Sequence, residues 1–388
     1  MISKQLAAVL VAVVLAEARA DPPVVAEGAI RVAAYNVAMY REKLGDLAEE
    51  LRSGTSEQAV RIAEVIRRVR PDVLLLCEID YDPANNPPAL FADRYLAAGD
   101  GAAPPIEYPH RFTAPVNTGV PSGLDLDGDG ATDGPADGWG YGAYPGQYGM
   151  AVLSRLPIDA EASRTFQELR WSNLPDAWRP VWPDSGDAFY DDATWRAMRL
   201  PSKSFWDVVV RTTGGEALHL IGSHPTPPVF DGPEDRNGTR NADEVRLVRE
   251  YVEGGLAEYF VDDRGRVGPL RPGEAFVVLG DLNADPHDGG GNRSAISRLI
   301  RSDALAADPR PRSPGALAAR RDGFRAEVAK KGDPALATCD GGLRIDYALP
   351  SANLRVLASG VYWPAPGEPG AEAVNASDHR LVWVDVAR

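Results

Sequence analysis

The stretch Phe276-Val277-Val278-Leu279-Gly280-Asp281-Leu282-Asn283 decides how this chain is read. Its first four residues are apolar throughout, the pattern of a strand buried on both faces rather than one wetted on a single side. The run then stops at a glycine and delivers an aspartate and an asparagine two positions apart. On an extended chain both side chains point to the same side. Working outward, short apolar runs recur at 30–37, 72–77, 148–154, 206–211, 217–223, 275–280, 344–349 and 381–386, each predicted to be a strand. Two stretches have helical spacing instead. Residues 56–70 place Val60, Ala63, Val65, Ile66 and Val69 on one stripe, with Thr55 and Gln58 read as a capping box and Pro71 as the stop. Residues 241–260 do the same with Val245, Val248, Val252, Leu256 and Tyr259, capped by Asn241 and Glu244. Strands outnumber helices and the helices recur between them. This predicts an α/β protein of sheets packed together with helices outside.

The bulk numbers agree with a large core. The chain has 388 residues, 44% hydrophobic and 25% charged. Its net charge of −15 disfavours nucleic acid and anionic lipid as general partners, because both demand a basic footprint. A local positive pocket or a bound cation can still invert that field. No composition break or repeat divides the chain. One domain is expected over 29–388, with long loop insertions at 99–147, 171–201, 262–274 and 302–340. Residues 1–20 read as a signal peptide, with Lys4, an apolar run over 7–15 and Ala18-Arg19-Ala20. The expected location is therefore secreted or periplasmic, with an uncleaved anchor as the alternative. No other segment reaches ~18 unbroken apolar residues, so no transmembrane segment is expected in the mature chain, which is read as a monomer. Cys77 and Cys339 are open to two readings, a disulfide or buried free thiols.

The chemistry-bearing residues cluster at strand ends. Asn36 closes the first run, Glu78 the second and His224 another. Asp346 sits in Arg344-Ile345-Asp346-Tyr347, and Ser377-Asp378-His379 precedes the last strand. Any one of them alone reads as a cap, a turn or a structural histidine. The chain has five histidines, and two of them fall at strand ends beside acid or amide partners. Carboxylates, amides and imidazoles at the mouths of buried strands suit metal-assisted phosphate chemistry: hard oxygen ligands for a cation, a neutral donor for a phosphoryl oxygen, and a group that moves protons near pH 7.

Taken in order, Asn36, Glu78, His224, Gly280-Asp281-Leu282-Asn283, Arg344-Ile345-Asp346-Tyr347 and Ser377-Asp378-His379 resemble the endonuclease/exonuclease/phosphatase superfamily, in particular an exported bacterial-type member. The segment Tyr148–Pro157 looks like that family's central strand, and the similarity spans roughly 30–388. The resemblance implies a deoxyribonuclease-I-like four-layer α/β/β/α sandwich, two mixed β-sheets flanked by helices. It implies Mg²⁺ or Mn²⁺ held by Glu78 and Asn36, with Asp378 as a further ligand. It implies that Asp281 orients or deprotonates the attacking water and that Asn283 binds a non-bridging phosphate oxygen. His224 and His379 would contact phosphate and shuttle protons, and Asp346 would hold the tautomer of His379. The expected activity is a metal-dependent phosphoesterase acting by direct water attack. Its substrate could be a small phosphate ester, a lipid head group or a nucleic acid, so an extracellular nuclease acting on DNA or RNA is one alternative.

Three further features stand apart. Asp125-Leu126-Asp127-Gly128-Asp129-Gly130 with Asp133 follows a calcium-loop spacing, which predicts a structural Ca²⁺ site. Arg236 and Arg240 precede a helix beside the expected site and are candidate phosphate contacts. Arg199, Lys203 and Trp206 form a second candidate rim. The alternative of another class, a catalytically dead calcium-dependent binding module, has no need for so many competent residues together.

Overall fold

A computed structural model describes residues 21–99, 101–321 and 331–388, so the signal-peptide reading of 1–20 lies outside the described residues. The strands are β1 (Ile30–Met39), β2 (Val73–Ile79), β3 (His110–Phe112), β4 (Met150–Ser154), β5 (Ile158–Thr165), β6 (Phe205–Arg211), β7 (Ala217–Ser223), β8 (Phe276–Asp281), β9 (Asp346–Pro350), β10 (Arg355–Val361) and β11 (Val382–Ala387). The α-helices are α1 (Asp46–Arg52), α2 (Glu57–Val69), α3 (Pro87–Phe91), α4 (Asp192–Ala197), α5 (Arg236–Glu253), α6 (Arg293–Ile300) and α7 (Pro314–Arg321). One sheet has the order β10-β11-β1-β2-β4-β3, the other β5-β6-β7-β8-β9. Within each, one pair is parallel, β1 with β2 and β7 with β8, and the rest are antiparallel.

Strand alternation builds the layers. Val277 and Leu279 of β8, with Leu218 and Leu220 of β7, enter the same core as Val32, Leu74 and Leu76 of the first sheet and Ile62, Val65 and Ile66 of α2. Their neighbours Phe276, Val278 and Ile221 turn the other way and pack on Val245, Val248 and Tyr251 of α5 and Ile296 and Leu299 of α6. Helix, sheet, sheet, helix is the expected four-layer sandwich. Each fully buried Val or Leu contributes about 1.5–3 kcal/mol, and one-residue slips of register would turn these side chains into the wrong layer. Arg31 ties β1 to β11 through two short bonds, Nε to Asp385 Oδ1 and Nη2 to Oδ2, each 2.7 Å.

Two helix boundaries correct the sequence reading. The N-cap of α2 is Ser56, whose hydroxyl accepts from Ala59 N, not Thr55. Helix α5 starts at Arg236 and stops at the left-handed Gly254, so Asn241 is interior and caps nothing. Its amide instead donates to Thr226 O and Leu282 O, which pins the helix to the segments carrying His224 and Asp281. Both cysteines are free and buried, which settles the open question in favour of thiols. No helix among the described residues is long and apolar enough to cross a membrane.

Candidate active site

The topology gathers six segments at one edge of the sandwich. Parallel neighbours end on the same side, so the C-terminal ends of β1 and β2 deliver Asn36 and Glu78, and those of β7 and β8 deliver His224 and Asp281. Antiparallel neighbours begin there: β9 opens with Asp346 directly across from Asp281, and His379 lies three residues before β11.

Asp281 is the centre, only 2% exposed. Its Oδ2 accepts from Asn36 Nδ2 at 3.1 Å and lies 3.5 Å from His224 Nε2 and 3.6 Å from His379 Nε2. Its Oδ1 accepts from Asn283 N at 2.9 Å. Asn36 Nδ2 also donates to Glu78 Oε1 at 3.0 Å, and His224 Nε2 is 3.8 Å from that oxygen. On the far side Asp346 receives His379 Nδ1 at 3.0 and 3.1 Å. The seven residues expected to converge, from Asn36 to His379, therefore do so, with Asn283 attached through its backbone N–H and its amide turned to Pro225 O at 3.1 Å.

Local backbone chemistry holds this arrangement. Gly280 adopts φ 141°, and a Cβ there would sit 1.9 Å from Ser223 O, so β7 and β8 close on each other only because residue 280 has no side chain. Ala38, Glu78 and Asn283 take positive φ without being glycine, at 47°, 57° and 52°. Such strain persists where surrounding structure over-determines it, and it is enriched at working sites. Two residues outside the expected set act as struts. Ser377 Oγ donates to Asn36 O and accepts from His379 N. Thr338 Oγ1 accepts from the N–H of Ile345 and of Asp346. Ser377 was visible in its motif; nothing in the sequence around Thr338 signals its role.

Charge is distributed unevenly among these groups. Burial pushes the Asp281 carboxyl up to about 7, with Asp346 adding to the effect and His379 opposing it. Burial likewise raises Glu78, against the hydrogen bond from Asn36. Burial would lower His379, but the charges of Asp346 and Asp281 outweigh it and hold this imidazole well above its ordinary range. His224 goes the other way: burial, then the charges of Lys203 and His379, keep it well below that range and neutral. One histidine is thus a charged donor and the other a neutral ring, the separation that acid–base work requires.

A divalent cation fits this donor set. Glu78, His224 and Asp281 each present a ligand atom within 4.8 Å of the others, as do Asp281, Asp346 and His379. Both ring nitrogens of His224 are buried without a hydrogen-bond partner, at 1% exposure for the residue. Orphaned polar atoms of this kind call for a ligand. Asp378 is exposed and belongs to neither trio, although its charge reaches Glu78.

Other expected contacts are committed elsewhere. Arg240 is buried and donates to the carbonyls of Leu200, Trp139, Arg199 and Pro201. Arg236 pairs with Glu234. Arg240 is taken up by carbonyls of the 139 and 199–201 segments and Arg236 by the acid two residues before it, so neither is placed as a phosphate contact. Arg199 bonds Asn117 and Glu168. Trp206 is wholly buried in the core; Lys203, by contrast, is a buried cation beside the site, its pKa lowered by burial and its charge felt by His224 and Glu78. In the calcium-type loop Asp125, Asp127 and Asp129 lie together, but Asp133 stands outside the trio. Both oxygens of Asp125 already accept from Gly128 N and Gly130 N.

Over residues 33–379 the chain matches the model of the endonuclease/exonuclease/phosphatase family. The chain belongs to this family. Its members are generally phosphoesterases and nucleases. The family fold is shared with an endonuclease/exonuclease/phosphatase protein of Beutenbergia cavernae, at a TM-score of 0.52 and 20% identity, over 92% of this chain and 71% of that one. The catalytic domain of human nocturnin aligns over 93% of both chains at 16% identity, with a TM-score of 0.44. Sphingomyelinase C of Streptomyces griseocarneus aligns over 93% of this chain and 99% of its own at 18% identity, with a TM-score of 0.42. No curated protein matches the chain.

Proposed function

We propose that this member of the endonuclease/exonuclease/phosphatase family is an exported, divalent-metal-dependent phosphoesterase that hydrolyses phosphomono- or phosphodiesters by direct attack of water. The observation that carries the reading is the convergence on Asp281: one carboxylate, buried, within 3.6 Å of a neutral His224 and a charged His379. Asp281 orients the attacking water and accepts its proton. His379, charged and steadied by Asp346, donates to a phosphoryl oxygen as negative charge grows there. His224 adds a second contact from the opposite wall, and Asn283 is placed to offer its amide once substrate displaces Pro225 O. Glu78 and Asn36, with Asp378 at the rim, would hold Mg²⁺ or Mn²⁺, which would supply charge neutralisation for the phosphoryl group. Export rests on the N-terminal residues alone, and a weak structural Ca²⁺ in the 125–129 loop rests on three clustered carboxylates.

The test is turnover of bis-p-nitrophenyl phosphate and p-nitrophenyl phosphate with Mg²⁺ or Mn²⁺, then with EDTA. EDTA-sensitive hydrolysis of either is expected. A folded protein inert towards both, and towards plasmid DNA and phospholipid vesicles, would overturn the assignment. Thermal melting with and without Ca²⁺, in wild type and Asp127→Asn, tests the calcium loop; identical melts refute it.

A further inference from the structure

Beside Glu78 the rim of the crevice is aromatic. Tyr40 follows β1 and Tyr148 precedes β4. The backbone sets both beside Glu78: Ile79 N donates to Gly149 O at 3.2 Å, and Asp80 N to Met39 O at 3.3 Å. The rings of Tyr40 and Tyr148 lie 4.3 Å apart at 46°, and Tyr141 joins Tyr148 at 6.4 Å and 44°. The three rings are tilted to one another rather than coplanar and form a contiguous aromatic rim. Tyr40 is 37% exposed and Tyr141 63% exposed, a large aromatic surface left open beside a catalytic centre. Among the described residues none of the three hydroxyls has a hydrogen-bond partner, so the loop's anchoring falls to other groups.

The loop is anchored by other groups. Tyr144 Oη donates to Asp80 Oδ2 at 2.7 Å and Gln147 Nε2 to Arg41 O at 2.7 Å. Tyr148 is held at φ 55°, a left-handed conformation unusual for a bulky residue. A Cβ at Gly149 would meet Ile79 O at 2.8 Å, which is why the chain can close so tightly here. Rigid support under exposed rings is the arrangement of a binding wall, since ordering costs are met before the ligand arrives. The charges of Glu78 and Asp378 bear on Tyr40, and the backbone bonds above set its ring beside Glu78, so the aromatic rim adjoins the carboxylate read as a metal ligand.

We infer that Tyr40, Tyr141 and Tyr148 form a specificity subsite that takes a flat aromatic ring carried by the alcohol portion of the phosphate ester. The inference rests on the phosphoesterase reading above, and it narrows the substrate class to aryl or heteroaryl esters. Stacking on ring faces supplies the binding, and the hydroxyls are dispensable.

Phenylphosphonate and methylphosphonate, which share one dianionic head, test it by calorimetry in the presence of Mn²⁺. Wild type is expected to prefer the phenyl compound. Tyr141→Ala is expected to cut the phenyl-to-methyl affinity ratio roughly five- to tenfold. Tyr40→Phe and Tyr141→Phe are expected to keep it. Circular dichroism confirms that each variant is folded. Absence of a phenyl preference in wild type, or an unchanged ratio in Tyr141→Ala, overturns the subsite. So does a Phe variant as impaired as the Ala variant, or a preference for phosphocholine over the phenyl compound that disappears with Tyr141. Failure of the phosphoesterase reading shows separately, as absence of EDTA-sensitive turnover in wild type.

Discussion

Replacing Asp346 by Asn isolates what a buried carboxylate does for His379. The two groups are 3.0 Å apart through Nδ1 and Oδ2, with Asp346 1% exposed. At an effective dielectric of about 20, unit charges roughly 4 Å apart attract by about 4 kcal/mol, or about a thousandfold in proton affinity. Asn keeps the shape and one acceptor oxygen but removes that charge. The variant should therefore bind its imidazole proton 10²–10³-fold more weakly, on the order of the Coulombic figure, and kcat should fall by about 10²–10⁴. The sign for stability follows. A histidine raised on folding contributes stability that is complete below its unfolded value of about 6.5 and is lost as pH rises through the folded one. Asp346→Asn should remove that slope. The assay is NMR titration of the His379 ring in wild type and variant, beside pH–rate profiles on bis-p-nitrophenyl phosphate. A folded variant whose His379 still titrates as in wild type, with kcat reduced less than about threefold, would refute the assigned coupling.

Other expectations are direct. Asp281→Asn should lower kcat by about 10²–10⁴, measured on the same ester. Because the Asp281 carboxyl lies at about 7, kcat should fall about tenfold per pH unit below that point, the carboxyl having to lose its own proton before it can accept one from water; pH–rate profiles between pH 5 and 8, roughly the span of the titration, would show a flat line if Asp281 is not the base. Gly280→Ala should destabilise by about 3 kcal/mol or more, since its Cβ meets Ser223 O; urea unfolding within about 0.5 kcal/mol of wild type would contradict the close approach. Arg240→Met should cost about 2–4 kcal/mol by stranding four carbonyls while leaving KM within about twofold. A raised KM without loss of stability would restore the phosphate-contact role.

The three strands invisible in the sequence share one position. β3 and β10 are the two edges of the larger sheet, and β5 is an edge of the smaller. An edge strand buries less, so Ile158-Asp159-Ala160-Glu161 carries no apolar run to read. The central strands, buried on both faces, announce themselves by composition. Helix starts failed for a related reason. Thr55 and Ser56 are equivalent as local caps, but Ser56 is held by partners outside the helix, its N–H donating to Tyr95 Oη and its hydroxyl to Glu50. Asn241 resembles a cap but is claimed by Thr226 O and Leu282 O.

The chain's own order of residues was enough to specify a mixed α/β sandwich and to name the seven groups from Asn36 to His379. Burial period and strand-end chemistry are local properties, written one residue at a time. What only the folded molecule decided was how those groups act on each other. It made His224 neutral and His379 charged, committed Arg240 to carbonyls, left both cysteines as thiols, and set Tyr40 and Tyr148 beside Glu78 with Tyr141 against Tyr148. Proton affinity, hydrogen-bond saturation and ring contacts depend on distances between segments up to hundreds of residues apart, and only chain folding sets those distances.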